Sequence, residues 1–162
     1  MTKFLLTVHI LAAILAIGPV AVAASMFPPT VRRALAAPGD AQALASVRLL
    51  YRICRVYAAV GVAVPVFGFA TASTMHILGD TWLIVSIVLT TLAAGALIAL
   101  ILPGQDAILT ELDAAAGAQS GPVATVDARQ TVRLAMFTGV FNLLWAAVTV
   151  LMIVRPGSTT GG

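Results

Sequence analysis

The sequence predicts an all-α integral membrane protein, a four-helix bundle with amphipathic helical lead-ins to its second and fourth spans. Three observations carry that expectation. The 162 residues are 60% hydrophobic and only 9% charged, against about 25% charged in an average soluble protein, so the chain has too little polar surface to cover itself in water. Four apolar runs, at about 4–24, 56–78, 82–102 and 134–154, each match the roughly 20 residues that cross about 30 Å of hydrocarbon as a helix. The alanine-rich runs are too long, and alternate too little, for β-structure. Residues 1–155 therefore read as one four-span domain and 156–162 as a flexible tail.

The first span holds no charge and one histidine, His9. Lys3 before it and Ala21-Val22-Ala23 near its end resemble a secretory signal, but the run is long for one. Gly18-Pro19 should kink the helix and Pro28-Pro29 should end it, because proline brings no amide donor. Asp40 follows as an N-cap for a helix beginning at Ala41. That helix opens amphipathic, with Arg48, Arg52 and Arg55 at spacings of four and three on one face, and then turns wholly apolar. Within the second span, Gly61, Pro65 and Gly68 predict a kink and a close helix contact.

Only Gly79-Asp80-Thr81 separates the second span from the third, so the two are expected to form a tight antiparallel hairpin, with Trp82 at the membrane interface. Pro103-Gly104 should end the third span. Residues 105–130 then read as a polar segment with a short helix from Ala107 to Ala116, a break over 117–122 and a cap at Thr125 or Asp127. There Asp106, Glu111 and Asp113 are expected on a wetted helix face. In the fourth span, Asn142 is the one strongly polar residue at depth, where a hydrogen bond to a neighbouring helix is its usual fate.

With four spans, segments 28–55 and 103–133 lie on one side. They hold Arg32, Arg33, Arg48, Arg52, Arg55, Arg129 and Arg133, leaving Lys3 and Arg155 on the other side. Positive loops stay in the cytoplasm, which places both termini outside, in a bacterial plasma membrane. The net charge of +3 thus sets orientation and does not point to nucleic acid. On the arginine face, Arg48, Arg52 and Arg55 suit anionic lipid headgroups at about 1 kcal/mol each, or a partner.

Candidate chemistry is confined to few residues. His9 and His76 are the only histidines, both near the outer ends of their spans, and Met75 and Met152 reach the same level. Facing imidazoles in a bundle suit haem b, and His with Met suits copper. The ordinary alternative is that both histidines hydrogen-bond or snorkel near the interface while the methionines fill gaps. Cys54, the single cysteine, excludes an internal disulfide and reads as a small buried side chain. No Gly-rich phosphate cradle, nucleophile elbow or intramembrane carboxylate pair is present, so no catalytic residue is assigned.

The opening from Lys3 through His9 to Leu15 and Gly18, and Gly79-Asp80 leading into Trp82-Leu83, resemble small bacterial predicted integral membrane proteins of unknown function. These in turn resemble, more remotely, membrane bundles of the copper-resistance D and HemJ types. That remote resemblance implies haem or copper at the early histidine, His9. Three roles follow: a non-enzymatic accessory membrane component with a partner membrane protein or as a homo-oligomer; a haem- or copper-binding protein using His9 and His76; or a small-molecule transporter, which four spans could build only as an oligomer.

Overall fold

In the computed structural model, which describes residues 2–117 and 126–157, four long helical rods form the bundle. The expected break over 117–122 lies almost wholly outside the described residues, as do Thr125 and most of the tail. The first rod is α1 (Thr2–Ala36) and the second is α2 (Ala41–Gly61) with α3 (Ala63–Met75). The third is α4 (Thr81–Ala96), a π-helical turn (Leu97–Ile101) and α5 (Leu102–Gly117). The fourth is α6 (Ala128–Val154). All four are long and apolar enough to cross a membrane.

Both expected caps form. The Asp40 carboxylate accepts from the amides of Gln42 (2.9 Å) and Ala43 (3.2 Å), and that of Asp127 from Arg129 (2.9 Å). These bonds satisfy donors that the first helical turn leaves without intrahelical partners. The expected kink near Gly61 and Pro65 takes the form of a break at Val62 between α2 and α3. Proline at 65 cannot donate to the carbonyl four residues back, so the ladder opens there.

Two expected helix ends are absent. Pro28 and Pro29 lie inside α1, which continues to Ala36. Phe27, Pro28 and Val31 are all buried, and the hydroxyls of Ser25 and Thr30 donate to the carbonyls of Ala21 and Met26. Packing of that face holds the turn together through the lost donors, as neighbouring helices and Ser/Thr side chains do in membrane bundles. Pro103 likewise lies inside α5, directly after the π-turn, where the amide of Leu102 reaches back five residues to Leu97. The widened turn accommodates the ring, and the third rod runs on to Gly117.

The hairpin between the second and third spans is looser than expected. Ala72, Trp82 and Leu83 pack together beside the connection, with Ile77 and Met152 against them. Beyond that cluster the helices part: α3 packs chiefly on α1, and α4 on α6. The main core lies toward the arginine-bearing end, where Phe27, Val31, Val47, Cys54, Ile101, Ile108 and Phe141 are buried together.

The second helix also stops earlier than 78. His76 takes the left-handed conformation (φ 56°, ψ 30°) at the end of α3. Its amide donates to Ser73 O, and that of Ile77 to Ala72 O, each at 3.2 Å. This pair of bonds, with Ile77 packed on Ala72, is a Schellman closure built on a non-glycine residue. His76→Gly is therefore expected to stabilise the protein by about 1 kcal/mol in an unfolding titration, since the left-handed region penalises a β-carbon. A destabilised His76→Gly protein would show that the imidazole makes a contact worth more than that strain.

Candidate functional site

His9 is buried on α1, where its Nδ1 lies 3.0 Å from the carbonyl oxygen of Val64. A carbonyl only accepts, so Nδ1 carries the proton of that bond. The ring rests on the backbone of Gly68, where an added β-carbon would fall 2.8 Å from His9 Cε1. The close contact foreseen at Gly68 is thus with an imidazole, nearly two turns beyond the helix break at Val62.

The structure does not bring the two histidines to one level. His76 is exposed in the turn after α3. Eight residues separate it from Gly68, about 12 Å of helix. Met75 and Met152 are partly buried, and Met152 packs against the Ala72–Trp82–Leu83 cluster. Among the described residues, no three His, Cys, Asp or Glu side chains gather as a metal site. A haem or copper held jointly by His9 and His76 does not fit this placement.

Trp82 is nearly buried and not simply interfacial. Its Nε1 donates to the Asp80 carboxylate (3.0 Å), and the Arg155 guanidinium lies over its ring at 5.7 Å. Those contacts fasten the end of α6 to the start of α4.

The richer polar region is at the other end, between α2 and α5, where the continuation of the third rod brings its acidic residues against the arginine face. Arg48 donates to Asp113 through Nε (3.0 Å) and Nη2 (2.7 Å). Tyr51 donates its hydroxyl to Asp106 (2.7 Å), and the Arg55 guanidinium lies over the Tyr51 ring at 5.7 Å. So the acidic face expected to be merely wet instead ties two rods together. Below it, Gln105 is wholly buried, with Nε2 at 3.5 Å from the Cys54 sulfur and Oε1 without a partner among the described residues. The thiol is buried, as the sequence suggested. An open cleft of about 260 Å³ lies in this region, lined by Tyr51, Arg55, Leu102, Pro103 and Asp106. A second, apolar cavity of about 140 Å³ lies deeper in the bundle, lined by Ile17, Tyr57, Pro65, Thr90 and Trp145 among others.

Midway along α6, Asn142 Nδ2 donates to the Ser25 hydroxyl at 3.1 Å, joining α6 to α1, while Ser25 itself is exposed. The neighbouring-helix bond expected of Asn142 is therefore present, on the outer surface of the bundle.

A family model described as "Predicted integral membrane protein (DUF2269)" matches residues 3–156. No curated protein and no solved structure matches the chain.

Proposed function

The chain belongs to the predicted integral membrane protein family DUF2269, and on that premise we propose that it is a non-enzymatic accessory component of a bacterial plasma membrane, acting by lateral association with a partner membrane protein or a second copy of itself. The observation that carries this reading is the Ser25–Asn142 pair. Both side chains are polar, they sit within apolar helices, and Ser25 is exposed where lipid would lie. Ser25 already donates to Ala21 and accepts from Asn142, so what remains for a neighbouring helix is the hydroxyl's second lone pair and the other Asn142 N–H, for which hydrocarbon offers no partner. Seven basic residues at the α2–α5 end support an orientation with that end in the cytoplasm and both termini outside.

The test is crosslinking of the full chain in its own membrane, followed by purification in mild detergent. Wild type is expected as a complex, and Asn142→Leu should weaken it about tenfold, the worth of one interhelical hydrogen bond. Ser25→Ala, which keeps Asn142, separates loss of association from loss of the α1–α6 tie. A wild-type chain that runs alone, or a complex indifferent to Asn142→Leu, would overturn the reading. So would a stoichiometric Soret band or bound copper in the purified protein.

A further inference from the structure

We propose that the cleft between α2 and α5 binds the headgroup of a zwitterionic phospholipid, its phosphate on Arg55 and its primary ammonium on Asp106. The inference rests on the reading above only in placing this end of the bundle at the membrane surface.

The first argument is position. The cleft sits where the long apolar run of the second rod begins, at Val56, and where the third rod passes from its apolar stretch into the charged face of α5. That is the level at which a bilayer changes from acyl chain to headgroup. Leu102 and Pro103 supply an apolar wall, suited to the glycerol and first acyl carbons of a lipid.

The second argument is charge. Arg55 and Asp106 line the same cleft, yet no ion pair forms between them; among the described residues the one such pair is Arg48 with Asp113. Tyr51 stands between them, its ring beneath the guanidinium and its hydroxyl on the Asp106 carboxylate. The hydroxyl engages one carboxylate oxygen, and a carboxylate accepts several donors; the ring meets the face of a guanidinium that has five N–H groups at its edge. A cation and an anion thus line one cleft without a direct ion pair between them.

A ligand satisfying both must carry an anion and a cation a few bonds apart. A purely anionic headgroup would complement Arg55 and confront Asp106. A choline headgroup brings positive charge without N–H donors for the carboxylate. An ethanolamine phosphodiester supplies both the anion and a hydrogen-bonding ammonium.

The test uses the full chain in detergent and native mass spectrometry with short-chain phosphatidylethanolamine, phosphatidylglycerol and phosphatidylcholine. Wild type is expected to prefer the ethanolamine lipid about fivefold over the other two, as befits partly exposed charge pairs. Asp106→Asn keeps an acceptor for Tyr51 and so preserves the local structure; it should abolish the preference over phosphatidylglycerol. Arg55→Gln should weaken binding of all three phospholipids. Equal binding of all three lipids by wild type, or an unchanged preference in Asp106→Asn, would overturn the proposal. Displacement by millimolar free phosphoethanolamine would overturn the lipid assignment in favour of a soluble zwitterion. Asn142→Leu should keep the ethanolamine preference, so failure of the association reading and failure of this one are told apart.

Discussion

Gly68→Ala is expected to destabilise the bundle by about 2 kcal/mol, as overpacking of a close contact does. The sign is the informative part, because glycine to alanine inside a helix normally gains about 0.5–1 kcal/mol. Here the new β-carbon would lie 2.8 Å from His9 Cε1 and 3.1 Å from Nδ1. The ring cannot back away without lengthening its 3.0 Å bond to the Val64 carbonyl, and a buried imidazole N–H left unpaired costs about 1–3 kcal/mol. His9→Ala in the Gly68→Ala background should therefore recover part of the loss, and the two changes should couple by about 1 kcal/mol or more in a double-mutant cycle. The measurement is reversible unfolding in mixed micelles. A Gly68→Ala protein as stable as wild type would show that the imidazole does not occupy that groove.

Phe27→Ala should cost about 2–4 kcal/mol, while Phe4→Ala should stay within about 0.5 kcal/mol. Phe27 has no exposed surface and lies in the main core, whereas Phe4 is 71% exposed on the same helix. In a membrane the unfolded reference state is also apolar, so the penalty comes chiefly from lost dispersion contacts around the cavity and falls toward the lower end of that range. The same unfolding titration reads both variants. Equal effects at the two positions would contradict the assigned inner and outer faces of α1.

The four spans and the caps at Asp40 and Asp127 were legible in the sequence because each is set by local composition: a long apolar run, or a carboxylate just before a helix. The proline positions were misleading for a physical reason. Pro28-Pro29 and Pro103 carry breaking signals that hold in water, where an unpaired turn simply unwinds. In the bundle, burial of Phe27 and Val31 and the widened turn at Leu97–Ile101 outweigh them. The candidate sites were legible only as residue types. His9 and His76 look level when each is counted from the end of its own span, but packing seats His9 against Val64 and Gly68, about 12 Å of helix from His76. The partners of Arg48 and Tyr51 could not be foreseen while Asp113 and Asp106 were expected on a wetted helix face detached from the third span by Pro103-Gly104. Asn142 was foreseen as a hydrogen-bonding residue, but which helix would answer it is a matter of packing.

The five-residue π-turn has a bearing on how this chain tolerates change in length. A turn wound one residue wider than its neighbours re-aims everything after it by about 100° relative to an unbroken α-helix. Excising a single residue between Leu97 and Ile101 would swing Asp106 and Asp113 around the barrel of the rod, away from Tyr51 and Arg48. Such a deletion is silent in composition and hydropathy, yet it would unzip the arginine-bearing edge of the molecule more thoroughly than the loss of either carboxylate.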